Sequence, residues 1–525
     1  MLRGPTIAIV LGISAVASVV LVSARGSDEP AASAEPGASD PSAVPQPLPP
    51  GPSGSAIDQP GPPAEALPPP PAVELPAFDP RVAPRWIAAA SGAVPELNQV
   101  SLEQDLALAA EVLGPGGRVL FGAGPDTATV QVLATEREVD PVLVALGDLF
   151  DPRGGRDLRY RATSLRTAEP ATAEGLLAAL DHALAGGPDP LLLYLGGHGN
   201  IGDEPRHNTI SLWEQSAVDV VDLADRLDRS PRPVRLVVTT CFSGGFAELV
   251  FRGADPTQGA SPTERCGLFA APWDLEATGC DPNPDRAAQE GYGLHLLEAL
   301  RGRDRDGKPL PLEALDLDGD RHLSLLEAHS RVRIASPSAD VPTTTSERWL
   351  RHAAPAEGVG VEVSLPEEEA VVAALAAQLH LRGREAQAHL ELQRLGDDIE
   401  AVMRRLEDAQ AAEDGSYRRA AAELLARWPV LDDPWHPDHA RLVREQRGAI
   451  VEQLERSSSY AEYLEARREV DRLGLRLWEL RRQSAPYERL SRALDNQALA
   501  GRLRAKGGED WATYERILAC ERGRI

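Results

Sequence analysis

The sequence predicts an α/β protein with a mostly parallel sheet flanked by helices, followed by an α-helical C-terminal module that is either a coiled coil or a helical hairpin. Two apolar runs of strand length, within residues 191–199 and 234–245, each break into a glycine-rich turn. That is the pattern of buried strands feeding loops at one edge of a parallel sheet. Strand and helix signals alternate ahead of the first run, as crossover units require. From Pro366 the composition shifts to Ala, Glu, Leu, Arg and Gln, and Leu392, Leu395, Ile399, Val402 and Leu406 recur at steps of 3, 4, 3 and 4. Such a seam pairs helices.

At 525 residues the chain is long enough for two or three domains, each with its own core. Its net charge of -26 would repel a phosphate backbone, so nucleic acid is excluded as a partner. Aromatic residues make up only 4% of the chain, so Trp213, Trp273, Trp349, Trp428, Trp435, Trp478 and Trp511 are expected as local packing anchors.

Arg3 precedes an uncharged run over residues 6–22, followed by Ser23 and Ala24. Its 17 residues suit a signal peptide and reach the lower limit of a membrane helix, so residues 1–24 are either cleaved after Ala24 or kept as an anchor. No cysteine falls here to carry a lipid. No Lys or Arg lies between Arg25 and Arg81. The positive charge therefore precedes the apolar run, and everything downstream is expected in the cell envelope, periplasmic or extracytoplasmic, secreted or anchored by residues 6–22. Residues 25–80 are rich in Pro, Ala, Gly and Ser and read as a disordered tether.

The α/β domain is expected over residues 81–350. A helix over 101–113 opens with a Ser101-x-x-Gln104 capping pattern, residues 118–122 read as an early strand, and 172–180 as the helix before the 191–199 strand. The first residues after the two long strands are potential catalysts: His198 and Cys241. Neighbouring parallel strands deliver the residues after them to one crevice at their carboxyl ends. A thiol is mostly protonated at neutral pH and needs a nearby imidazole to take its proton. The N–H groups around Gly199 and Cys241 can point at a developing oxyanion, and the glycines let a peptide approach. The plainer alternative is a core cysteine and a structural histidine at two ordinary strand ends.

A strand ending in His198-Gly199, then about forty residues, then a strand ending in Cys241-x-Ser243-Gly244 resembles the caspase-like cysteine peptidases, the grouping of caspases, metacaspases, gingipains and legumains. Residues 210–213 and 218–223 resemble the legumain-like branch most. The similarity covers roughly residues 95–335. It implies a caspase-like fold and a cysteine endopeptidase in which Cys241 is the nucleophile and His198 the general acid/base. Many relatives carry an acidic residue two positions before the cysteine, where this chain has Thr239. That leaves specificity open, and the same fold also runs transpeptidation. Asp203, Asp219 and Asp222 are polar neighbours of the histidine strand, with nothing to choose a third catalytic member among them.

In an oxidising space thiols pair, and the 13 residues between Cys266 and Cys280 suit a loop-closing disulfide of about 3 kcal/mol. Cys241 then stays free and Cys520 is left over as a surface thiol. Asp316, Asp318, Asp320, the His322 carbonyl and Glu327 fall at positions 1, 3, 5, 7 and 12 of a calcium-type loop, with Leu323 at position 8. Arg321 departs from the glycine expected at position 6. Such a Ca2+ would be structural, since thiol chemistry needs no metal; the alternative is an acidic loop capping the helix near Ser324. Residues 366–525 are expected as a helical accessory module, with a turn at 432–437 and Leu473, Leu477 and Leu480 on one face of a second long helix. His436 and His439 lack a converging ligand cluster and read as loop residues.

The function expected is a cysteine endopeptidase acting on a protein or peptide substrate, with membrane contact if the N-terminal segment is uncleaved and self-association through the C-terminal helices. A different class, a catalytically inactive envelope scaffold that binds partners through its helical module, is motivated by the long tether and the helices. A calcium-responsive adhesin has only the acidic loop behind it.

Overall fold

In a computed structural model of the protein, residues 71–76, 78–133, 140–150, 158–433 and 436–524 are described. The expected signal or anchor, 1–24, and the tether up to residue 70 lie outside the described residues. The packed unit starts earlier than residue 81: the Val73 N–H donates to the Ser164 carbonyl at 3.0 Å, and Val73 and Leu75 pack on the core. Apolar surface at these two residues offsets the ordering cost that the prolines around them cannot.

The first half of the chain runs β1 (Trp86–Ser91), α1 (Val100–Leu113), β2 (Gly117–Phe121), β3 (Ala128–Leu133), α2 (Pro141–Phe150), β4 (Leu158–Ala162), α3 (Ala173–Leu184) and β5 (Leu191–Gly197). There follow β6 (Gly199–Asn200), β7 (Thr209–Leu212), β8 (Ser216–Asp219), α4 (Val220–Leu227), β9 (Val234–Val238), β10 (Arg265–Phe269), α5 (Tyr292–Arg301), α6 (Leu325–Ala335) and β11 (Thr343–Thr344). The helical region comprises α7 (Thr345–Ala353), α8 (Pro366–Gln378), α9 (Ala388–Leu425), α10 (His439–Glu445), α11 (Arg447–Arg456), α12 (Ser458–Lys506) and α13 (Gly508–Glu521).

Six strands form the main sheet in the order β2-β1-β5-β9-β10-β11, parallel except for the last. Every residue of β1 and β5 is buried, because helices cover both faces. Ala88, Leu192, Tyr194 and Val237 face α1, α5 and α6 through Leu106, Leu296 and Leu326. Ile87, Leu193, Leu236 and Val238 face α3 and α4 through Leu180 and Leu223. The Thr172 hydroxyl caps α3 by accepting the Gly175 N–H at 3.0 Å. Helix α1 is capped differently from expectation: Gln99 is its N-cap, with no side-chain bond to the helix N–H groups, and the Ser101 hydroxyl accepts the Asp281 N–H at 2.8 Å instead. Tertiary contact to the 277–283 segment outcompetes the local cap.

Helices α9 and α12 pack along each other through Leu395, Val402, Leu473 and Leu480, with Ile399, Leu406 and Leu477 beside them. They make the helical hairpin the seam predicts. Between them, the expected turn is elaborated into α10 and α11. Trp435, expected as a packing anchor in that turn, lies outside the described residues. The tip of the hairpin, with Leu424, Trp428, Ile450 and Tyr463, packs on Val142, Leu146 and Leu149 of α2.

At the root of the hairpin, buried Arg489 of α12 donates to the carbonyls of Asp340, Ser336 and Ser338 at 2.8 Å each. Helix α13 docks on β10, where Tyr514, Ile517 and Cys520 join Cys266 and Trp349. Cys266 forms its disulfide here with Cys520, not with Cys280. Strand direction explains the correction. Cys266 lies near the start of β10, whereas Cys280 follows the carboxyl end of that strand and its Sγ meets the Gly197 carbonyl at 3.7 Å. At about 3.3 Å per residue, the rest of β10 holds the two thiols apart. Cys520 is 3% exposed rather than a surface thiol. Among the described residues, no helix is long and apolar enough to cross a membrane.

Candidate active site

The sheet order places β5 between β1 and β9, so the chain leaves β1 for β2 on one side and returns to β5 on the other. A crevice opens at the carboxyl ends of strands at such a switch point. His198 follows β5 and Cys241 follows β9, which pair in parallel with Leu195 opposite Val238. The Thr239 N–H donates to the Leu195 carbonyl at 2.9 Å and carries that pairing one residue further. Gly199 packs on the Cys241 carbonyl so closely that a Cβ there would sit 2.2 Å from the oxygen. The structure thus brings together His198, Gly199 and Cys241.

His198 is oriented from the loop after β1. Its Nε2 lies 3.0 Å from the Leu97 carbonyl and 3.0 Å from Gln99 Oε1. A carbonyl can only accept, so Nε2 carries the proton and Nδ1 keeps the lone pair. Burial lowers the imidazole pKa, with the Leu97 carbonyl opposing. The ring is therefore neutral at pH 7. Two of the three Asp candidates are engaged elsewhere: Asp203 pairs with His207, and Asp219 caps α4 by accepting the N–H of the third, Asp222, which lies in the first turn of that helix. Leu97 acts through its backbone and leaves no side-chain signal in the sequence; Gln99 sits in a stretch that reads as a helix start.

Cys241 leads into a left-handed turn at Phe242 (φ 58°) and a 3-10 helix over Ser243–Val250. Its Sγ donates to the Ala277 carbonyl at 3.4 Å and accepts the Ala277 N–H at 3.4 Å. Burial pushes the thiol up to about 12; the Ala277 bond opposes this, and Glu276 and Asp340 add to it. No hydrogen bond joins Sγ to His198 among the described residues. Cys280, the second free cysteine, is also raised by burial.

Asn208, 1% exposed, holds this arrangement together. Its Nδ2 donates to the Phe242 carbonyl at 2.9 Å and the Trp273 carbonyl at 2.7 Å, and its Oδ1 accepts the Gly202 N–H at 2.9 Å. Sequence reasoning missed it, since one Asn in a polar loop carries no signal without its partners.

The calcium-type loop lies immediately ahead of α6. Carboxylate oxygens of Asp316, Asp318 and Asp320 come within 4.8 Å of one another. Glu327 does not join them. Its Oε1 accepts the Leu317 N–H at 2.6 Å and its Oε2 the Ser324 N–H at 2.8 Å, in a capping box that starts α6. Backbone amides claim both of its oxygens. Arg321 occupies position 6 with φ 66°, in the left-handed backbone region that favours glycine, and the His322 N–H donates to Asp320. Comparison with known protein families, characterised proteins and solved structures gives no match.

Proposed function

We propose that the chain is a cysteine endopeptidase of the caspase-like type, exported or held at the membrane by residues 6–22. The observation that carries this reading is the delivery of His198 and Cys241 by adjacent parallel strands to one edge of the sheet, with Gly199 against the Cys241 backbone. His198 Nδ1 takes the Cys241 proton as Sγ attacks the scissile carbonyl carbon. The Gly199 and Cys241 N–H groups receive the oxyanion. The C–N bond breaks, the proton passes from His198 to the leaving amine, and water releases the acyl group from sulfur. The Leu97 carbonyl stabilises the imidazolium formed in between. Substrate entry has to exchange the Ala277 bonds of the thiol for this geometry, and catalytic contacts commonly tighten only in the complex.

Cleavage of a mixed peptide library by the full chain, beside Cys241→Ala and His198→Ala, tests the reading. Cysteine-dependent cuts are expected, with a loss of at least about a thousandfold in either variant. Equal cleavage by wild type and Cys241→Ala refutes it.

The second reading, an inactive scaffold, draws on the thiol's engagement by Ala277 and its pKa of about 12. Alkylation separates the two, with Cys280 as the internal reference because Cys520 is in a disulfide. Faster labelling of Cys241 in the presence of peptide favours the enzyme; equal slow labelling favours the scaffold.

A further inference from the structure

Three large apolar side chains on the segments around Cys241 are left in solvent: Ile201, Trp273 and Leu275, at 44%, 37% and 39% exposure. Trp273 is displayed, not a buried packing anchor. Their backbones are pinned. The Leu275 carbonyl accepts the Phe242 N–H at 2.8 Å, and Asn208 ties the Trp273 carbonyl to the N–H of Gly202, the residue after Ile201. Gly244 permits the close approach, since a Cβ there would sit 2.6 Å from the Trp273 nitrogen. Apolar side chains on a fixed backbone gain by being covered, and little ordering cost remains to oppose it.

Of the four carboxylates that act on the Cys241 and Cys280 thiols, Asp281 accepts the Asn283 N–H at 2.8 Å and the other three are committed to partners. Glu276 pairs with Arg481 at 3.1 Å, and Asp105 with Arg286 at 2.8 Å. Asp340 accepts the Thr278 N–H at 2.7 Å, the Thr278 hydroxyl at 2.9 Å and the Tyr292 N–H at 3.1 Å. None of these three carboxylates is left over for a cationic substrate side chain.

We propose that Trp273, Leu275 and Ile201 form a specificity wall, and that the substrates are peptides carrying a bulky apolar side chain in one of the two residues before the scissile bond. This rests on the reading of Cys241 as the nucleophile.

The test uses the full chain and peptidyl chloromethyl ketones varied at those two positions among Leu, Phe, Ala, Arg, Asp and Asn, with Cys241 labelling followed by mass spectrometry. Leu or Phe probes are expected to label about tenfold faster than Ala probes, and Trp273→Ala to remove most of that ratio. Leu275→Ser serves the same purpose if Trp273→Ala does not fold. Fastest labelling by an Arg, Asp or Asn probe, or an unchanged Leu-to-Ala ratio in a folded variant, overturns the wall and leaves the nucleophile standing. Failure of every peptide probe to label Cys241, while iodoacetamide labels Cys241 and Cys280 alike, overturns the nucleophile and the wall with it.

Discussion

Cys241 and His198 rest as a neutral thiol and a neutral imidazole, because burial raises the one to about 12 and lowers the other. In the absence of peptide, alkylation of Cys241 is expected to keep climbing with pH beyond 9, where an ordinary thiol levels off; a plateau near 8.5 contradicts the burial argument. Asn208→Ala leaves the Phe242 and Trp273 carbonyls without their buried donor, and is expected to lower peptide cleavage by about tenfold or more. Glu521 makes a separate prediction. Burial pushes its carboxyl up to about 7, although the Thr345 hydroxyl and the Ser346 N–H donate to it. The unfolded state loses this proton near 4.5 and the folded state keeps it to about 7. Between those values the folded state binds more protons, so stability falls as pH rises, by at most about 1.4 kcal/mol per pH unit. Urea unfolding at pH 5 and pH 7.5 checks it, with Glu521→Gln expected to flatten the difference. The placement of His198 and Cys241 at the ends of neighbouring strands was legible in the sequence, since apolar runs that break at glycines announce it. The groups that orient the pair were not, because Leu97 and Ala277 act through backbone atoms.

Elements follow local rules where packing agrees with them. The 3, 4, 3, 4 spacing foretells the hairpin seam between α9 and α12 because each step returns an apolar residue to the same stripe. The Ser101 cap fails because a distant segment takes the hydroxyl. The acidic loop shows both outcomes, with its helix start legible and its twelfth residue turned inward. Calcium is expected to raise the melting temperature through Asp316, Asp318 and Asp320, and Arg321→Gly to raise it with and without calcium alike by relieving a left-handed arginine worth about 1 kcal/mol. Calorimetry with calcium and with chelator measures both; identical melting curves leave the loop as a helix entry alone.

Across the whole molecule, the helical region is bound into the sheet rather than appended to it. Burial pushes the Glu347 carboxyl of α7 up, yet Arg492, Arg351 and Arg333 together bring it down to about 2. Cys520→Ser is expected to cost about 2–5 kcal/mol in urea unfolding, with no further loss on adding reductant. Local spacing favours Cys280 as the partner of Cys266, and only the docking of α13 reveals a bond across 254 residues. That bond closes a covalent ring around nearly half of the chain. A single backbone cut anywhere between residues 267 and 519 would release no fragment, so it would pass unseen on a non-reducing gel and show as two bands only after reduction.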